Sequence, residues 1–179
     1  MKVLIITASQ HRGGNTDKLA EEFAKGARSV GHEVEIISLA GKKIGFCQGC
    51  LVCQKTRQCV LKDDANEIVQ KMGKAEVLVF ATPIYYYTIS GQLKTLLDRA
   101  EPLFRGNYTF RDVYLLTAGA DADPDTNTNA VADLKGWIDC FPPARLAGAF
   151  FAGGIFEKSE IESSDALHKA TLIGASVNL

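Results

Sequence analysis

Four consecutive apolar residues, Val3 to Ile6, stand almost at the start of the chain and are followed by a polar loop that contains glycine. An uninterrupted apolar run of this length is typical of a strand that is buried on both faces of a parallel sheet. Apolar residues then recur at helical spacing from Leu19 to Ala27, and Gly31 ends the predicted helix. The order of strand, loop and helix predicts the first half of a βαβ unit.

The same alternation continues along the chain. Four further apolar runs predict strands, and helical patterns occupy the intervals between them. Strands that alternate with helices predict an α/β fold, a doubly wound sheet of five parallel strands with helices on both faces. The later strands are predicted at residues 34–39, 77–80, 113–116 and 146–151, and the later helices at residues 65–72, 91–99, 127–138 and 161–173.

Composition limits the function classes. A chain of 179 residues with 46% hydrophobic and 23% charged residues fits a single globular domain over residues 1–179. The 20 basic and 21 acidic residues nearly balance, which gives no reason to expect nucleic acid or an anionic membrane as a partner. The N-terminal apolar run is shorter than the roughly 7–15 residues of a secretory signal, so a cytoplasmic location is predicted.

The loop after the first strand carries groups that bind phosphate. Two adjacent glycines let the backbone approach a ligand, and N–H groups at a helix N-terminus attract anions. In a doubly wound sheet, ligands bind beyond the carboxyl ends of the strands. A helix cap at Asn15 or Thr16 behind a glycine turn is the alternative interpretation. The predicted phosphate-binding residues are Ser9, Arg12, Gly14, Asn15 and Thr16.

Three further motifs follow the third predicted strand: ATPIYYY at 81–87, SGQLK at 90–94 and LDR at 97–99. With the phosphate loop, they resemble the NADPH-dependent FMN reductase family of the flavodoxin superfamily, over residues 1 to about 120. One difference is that His11 stands where the family commonly has arginine, and Arg12 follows one residue later. The resemblance implies a flavodoxin-like strand order of 2-1-3-4-5, FMN as cofactor and NAD(P)H as a transient electron donor.

The isoalloxazine ring of FMN needs apolar or aromatic contacts on its faces and backbone donors at its edge. The segment 83–86 can provide both, and the resemblance implies that it embraces the ring together with the loop after the fourth strand. A structural tyrosine cluster or a subunit interface is the alternative. The flavin supplies the redox chemistry, so no catalytic side chain is predicted. The predicted flavin-binding residues are Pro83, Ile84, Tyr85, Tyr86, Thr117, Ala118 and Gly119.

Four of the five cysteines lie in a segment at about residues 45–62, which we interpret as an insertion loop. The first three have the compact spacing that wraps one face of an iron–sulfur cluster, and the fourth can complete the ligand set. Tetrahedral zinc and free or redox-active thiols are the alternatives. The fifth cysteine, Cys140, is predicted to be a buried free thiol. The predicted ligands are Cys47, Cys50, Cys53 and Cys59.

This cysteine segment also resembles the archaeal and bacterial iron–sulfur flavoproteins. That resemblance implies a [4Fe–4S] cluster beside FMN, electron transfer between the two, and a homodimer or homotetramer. The predicted function is an FMN-dependent oxidoreductase that passes electrons from NAD(P)H or a ferredoxin-like donor to a small acceptor such as a quinone or flavin. An electron-transfer protein without a small substrate, and a cysteine-based metal-binding or redox-sensing module, are the alternatives.

Overall fold

The computed structural model describes residues 1–104 and 106–178. Its five parallel strands and one short antiparallel strand form a sheet with the order β2-β1-β3-β5-β6, and β4 pairs with the end of β3. Without the short β4, this is the predicted order 2-1-3-4-5, so the predicted fold class is confirmed. The strands are β1 (Lys2–Thr7), β2 (Glu33–Ser38), β3 (Val77–Tyr85), β4 (Thr88–Ile89), β5 (Asp112–Ala118) and β6 (Arg145–Ala152).

The helices follow the predicted positions, with two differences. A five-residue helix lies inside the cysteine segment, and the last predicted helix is divided into a 3-10 turn (Glu160–Ser163) and a later α-helix. The cluster of polar residues from Glu162 to Asp165, at the end of the 3-10 turn and before the α-helix, explains why the helical pattern is interrupted there. The α-helices are α1 (Asn15–Ser29), α2 (Val52–Thr56), α3 (Ala65–Lys74), α4 (Gly91–Arg99), α5 (Thr128–Ile138) and α6 (Ala166–Ala175).

Two hydrophobic cores lie on opposite faces of the sheet. Successive side chains of a strand point to opposite faces, so β1 contributes Leu4 and Ile6 to one core and Val3 and Ile5 to the other. Helices α3, α4 and α5 cover the first core, and α1 and α6 cover the second. This arrangement explains why the strands are continuous apolar runs. Among the described residues, no helix combines the length and apolar character that crossing a bilayer requires.

Candidate flavin and cysteine sites

Three of the predicted loops meet at one edge of the sheet. Strands β1, β3 and β5 are neighbours, so the loops that follow them begin side by side. The Ala8 amide donates to the Ala81 carbonyl over 2.8 Å, which links the first loop to the second. The ideal Cβ position of Gly119 lies 3.3 Å from Ile84 Cβ, which joins the second loop to the third. We call this edge the flavin edge, and it consists of residues 8–16, 82–90 and 117–121.

The N-terminus of α1 faces the flavin edge without a side-chain cap. Gly14 is the N-cap residue, and a Cβ atom there would lie 2.8 Å from the His11 carbonyl oxygen. Glycine is therefore required for the close approach of the loop to itself. The N–H groups of the first helical turn have no partner within the helix, so they form a donor set for an anion. Two nearby donors are already used, since the Gly13 amide donates to the Asp17 carboxylate and the Gly14 amide to the His11 carbonyl, each over 2.9 Å.

The polar side chains of this loop divide into two groups. Ser9 in the loop and Thr16 in the first turn of α1 are buried, and the Ser9 hydroxyl bonds locally to the backbone of His11 over 3.2 Å. Arg12 turns away and donates from Nη2 to the Ala40 carbonyl oxygen over 3.1 Å. The Asn15 side chain donates to the Glu157 carbonyl oxygen over 2.8 Å and accepts from the Ile161 amide. Arg12 and Asn15 therefore hold neighbouring segments in place in this conformation.

The tyrosine-rich segment forms the hairpin between β3 and β4. Tyr86 and Tyr87 adopt left-handed backbone conformations with φ of 49° and 64°, and Tyr86 is 97% exposed. The base of the hairpin is closed by the buried Thr82, whose hydroxyl oxygen accepts from the Ser90 amide over 3.1 Å. The threonine and serine of the family motifs thus fix the position of the hairpin, a role that sequence reasoning missed.

The loop after β5 is held in place by hydrogen bonds and close packing. The Thr117 hydroxyl is buried between the Asn127 side chain (2.9 Å) and the Phe150 carbonyl oxygen (3.1 Å). Gly119 uses both backbone groups, since its amide donates to the Ala152 carbonyl and its carbonyl accepts from the Ile155 amide. A side chain at Gly119 would also meet the Phe151 ring at 3.2 Å. Thr117 and Gly119 therefore shape this wall of the flavin edge by close packing.

A fourth segment, residues 153–163, crosses the flavin edge, and no motif in the sequence predicts its position there. In addition to its bonds with Asn15 and Gly119, it receives a hydrogen bond from Lys18 Nζ at Ser159 Oγ over 2.8 Å. Lys18 also forms an ion pair with Glu162. The contacts of Asn15 and Lys18 join residues about 140 positions apart in the sequence, so no local pattern could have revealed them.

The four predicted cysteine ligands lie around one small cavity of about 140 Å³. Cys53 on α2 is buried, Cys59 is partly buried, and Cys47 and Cys50 are exposed. Glu101 also lines the cavity and accepts a hydrogen bond from Gln54 Nε2 over 2.7 Å. Burial raises the pKa of the Cys53 thiol, and the charges of Glu101, Cys59 and Cys47 raise it further.

Arg99 joins the two ends of this cysteine segment. Its side chain is fully buried and forms a two-pronged ion pair with Asp63, at 2.6 Å and 3.0 Å. Nη1 also donates to the Gly45 carbonyl oxygen over 2.7 Å. Burial alone lowers the pKa of Arg99, but Asp63 and Cys59 raise it by more, so the net pKa is raised. Arg99 thus connects the two ends of the segment, while its neighbour Asp98 pairs with Lys94 at the surface.

The four thiols line one cavity but do not converge on one point. Among the described residues, no three Cys, His, Asp or Glu side chains are arranged so that they could hold a single metal ion. Tetrahedral zinc needs four thiolates at about 2.3 Å from one ion. Cys140 is a free thiol as predicted, but its predicted burial is wrong. It is exposed two residues beyond the end of α5, where the neighbouring Ile138 and Phe141 are the buried residues.

The sequence matches the model of the NADPH-dependent FMN reductase family over residues 1–156. The chain belongs to this family of oxidoreductases. The match includes all three loops of the flavin edge and the whole cysteine segment, and it confirms the family that the sequence motifs predicted.

Two relatives of the chain in the FMN reductase family are named iron–sulfur flavoproteins. One, from Methanocaldococcus jannaschii, is 40% identical over 103 residues, which is 58% of this chain and 53% of the relative. The other, from Archaeoglobus fulgidus, is 30% identical over 142 residues, 76% of this chain and 64% of the relative. The matched region thus spans between half and two thirds of the length of these relatives.

Among solved structures, the fold is similar to that of an NAD(P)H:quinone oxidoreductase from Methanothermobacter marburgensis. The TM-score is 0.74, the sequence identity is 18%, and 99% of each chain is covered. At this identity the similarity concerns the fold, and it agrees with the parallel sheet described above.

Proposed function

We propose that this protein is an FMN-dependent oxidoreductase that passes electrons from NAD(P)H, or from a ferredoxin-like donor, to a small acceptor such as a quinone or flavin. We also propose that the cysteine segment holds a [4Fe–4S] cluster that exchanges electrons with the flavin. The observation that carries the proposal is the meeting of three loops and an uncapped helix N-terminus at one edge of the sheet.

The FMN phosphate is assigned to the N-terminus of α1. The first-turn amides and the hydroxyls of Ser9 and Thr16 would hold it, and Gly14 keeps the approach open. Asn15 takes part through its backbone amide, since its side chain is bonded to residues 157 and 161. Arg12 contributes its charge to the phosphate once it releases the Ala40 carbonyl.

The isoalloxazine ring is assigned to the space between the hairpin and the loop after β5. Pro83, Ile84, Tyr85 and Tyr86 provide apolar and aromatic surface, which an aromatic ring system requires. Residues Thr117, Ala118 and Gly119 form the opposing wall. Bound FMN would supply hydride and single-electron chemistry, while the protein orients the ring and excludes water.

The cluster is assigned to Cys47, Cys50, Cys53 and Cys59. The shared cavity, the spacing of the thiols and the names of the two relatives support this assignment. A cluster of four iron and four sulfide ions takes one thiolate ligand for each iron, which matches the number of cysteines in the segment.

Assembly into a homodimer or homotetramer is part of the proposal. Large apolar side chains are exposed beside both sites: Tyr86 and Phe46 are 97% and 80% exposed, and Leu51 and Val60 are about half exposed. Contiguous exposed apolar surface commonly marks a protein interface. Light scattering of the reconstituted protein tests this part, and a monomer at micromolar concentration would contradict it.

Titration with FMN, followed by quenching of flavin fluorescence, tests the flavin site. The variant Gly14→Val places a side chain against the His11 carbonyl and should weaken FMN binding at least tenfold, which is about 1.4 kcal/mol. The matched control is Gly136→Ala, where an added Cβ meets open space. Equal affinity in both variants and the wild type would place the phosphate elsewhere.

Oxidation of NADPH with a quinone acceptor then tests the activity. If FMN-loaded protein shows no such oxidation, the result would favour an electron carrier.

A further inference from the structure

The cysteine segment is tied to the rest of the molecule through Arg99. The guanidinium binds Gly45 before the first cysteine and Asp63 after the last. Asp63 extends the connection, because its carboxylate also accepts from the amides of Gly45 and Ala65. The ion pair therefore closes the base of a loop that contains all four thiols.

Arg99 also brings charge to the thiols themselves. Its Nη2 atom donates to the Leu61 carbonyl oxygen over 3.5 Å, and Leu61 lines the cavity together with the four thiols. The charge of Cys59, two residues earlier in the chain, attracts the guanidinium. The Nε atom of Arg99 is buried and has no hydrogen-bond partner among the described residues. A thiolate or a cluster sulfide can accept such a donor, and an arginine side chain keeps its positive charge at every accessible pH.

We propose that Arg99 is a positioning residue for the cysteine site: it holds the ends of the segment together and places a fixed positive charge beside Cys59 that raises the reduction potential of the bound cluster. The inference rests on the proposed function, since it assumes that the four thiols hold a cluster. One-electron reduction makes the cluster more negative without forming or breaking a bond, so a nearby cation favours the reduced state.

Asp63 provides the opposing charge. A neutral residue at position 63 leaves the cation uncompensated, whereas a neutral residue at position 99 leaves the carboxylate uncompensated. If charge is what Arg99 supplies, the variants Asp63→Asn and Arg99→Gln should shift the potential in opposite directions. If Arg99 acts only by holding the loop, both variants should loosen the site in the same way.

The experiment is an anaerobic dithionite titration of protein reconstituted with FMN, iron and sulfide, followed by the cluster signal in electron paramagnetic resonance. We expect a higher midpoint potential than wild type in Asp63→Asn, a lower one in Arg99→Gln, and a value close to wild type in Arg99→Lys. The matched control is Asp98→Asn, which neutralises the adjacent surface carboxylate and should leave the potential unchanged. Shifts of the same sign in Asp63→Asn and Arg99→Gln, or no shift in either, would overturn the inference.

The outcomes also separate this inference from the proposed function. Wild-type protein that binds FMN but takes up no iron and sulfide would refute the cluster, and with it the role of Arg99. Wild-type protein with a full cluster whose potential is insensitive to these variants would refute only the role of Arg99. If Arg99→Gln does not fold, Asp63→Asn and Arg99→Lys still test the inference. A midpoint potential that is lower in Asp63→Asn than in wild type is by itself enough to contradict it.

Discussion

The flavin edge and the cysteine segment lie in the same chain but are built in different ways. The flavin edge continues from three hydrogen-bonded strands, and its position is set by the whole sheet. The cysteine segment, residues 45–62, contains only the five-residue α2. It is held at its base by one buried ion pair and elsewhere by side-chain hydrogen bonds such as that from Gln54 to Glu101. Many hydrogen bonds of the sheet stabilise the flavin edge, whereas a few contacts stabilise the cysteine segment.

Among the variants that test this contrast, Arg99→Ala should cause the largest loss of unfolding free energy. Removing one partner of a buried ion pair leaves an uncompensated charge, and this typically costs about 3–5 kcal/mol of unfolding free energy. Urea unfolding followed by Trp137 fluorescence measures the loss. The control Asp98→Ala breaks an exposed pair and should change stability by less than about 0.5 kcal/mol. Similar losses in the two variants would show that the buried pair contributes no more to stability than the exposed pair.

A smaller effect is expected at the flavin edge from Gly119→Val. The added side chain meets Ile84 and Phe151, and such overpacking costs about 1–3 kcal/mol. Because the strand ends are anchored in the sheet, the structural change should be limited to this edge. Thermal unfolding and FMN titration should therefore report a modest loss of stability together with weaker binding. Unaltered FMN affinity would indicate that the ring does not lie between these loops.

Acid should affect the cysteine segment through Asp63. Burial raises the pKa of this carboxyl, but hydrogen bonds from Arg99 and from the Gly45 and Ala65 amides lower it by more, so the net pKa is lowered. A lowered pKa stabilises the fold above the unfolded-state value of about 3.9, and this stabilisation is lost as the pH falls below it. The stability difference between wild type and Asp63→Asn should therefore shrink between pH 5 and pH 3, and a constant difference would be inconsistent with this account.

The smallest effect on stability is expected from Tyr86→Ser. Because Tyr86 is almost fully exposed, the unfolding free energy should change by less than about 0.5 kcal/mol. FMN affinity or subunit association should nevertheless weaken several-fold, as measured by titration and light scattering. Leu172→Ser, at an exposed apolar position on α6, serves as the control and should leave both unchanged.

Local patterns predicted most of the flavin edge. The run Val3–Ile6 and the helix Gly91–Arg99 carry their signals within a few neighbouring residues, so the strands, the helices and the three loops followed from the sequence. The family motifs then predicted which residues belong to the edge. Thr82 and Ser90 were recognised as motif positions, although the hydrogen bond between them became evident only in the structure.

Contacts between distant residues could not be predicted in this way. The pair of Asp63 and Arg99 joins residues 36 positions apart, and Asn15 binds a carbonyl 142 positions away. The short elements α2 and β4 have too few residues to show a period. The predicted burial of Cys140 is wrong because the residue type alone does not show which side of a chain segment faces the core. In each case the structure depends on tertiary packing that one local window does not contain.

The central claim, that FMN and a [4Fe–4S] cluster share this chain, is tested most directly by quantitative analysis of anaerobically reconstituted protein. Flavin released by heat, iron and acid-labile sulfide are measured for each chain, together with the visible spectrum before and after reduction by dithionite. We predict one FMN, four iron and four sulfide per chain, with iron lost in Cys53→Ser and FMN retained. A protein that binds FMN but no iron would contradict the account of the cysteine segment, and one that binds neither would contradict the whole account.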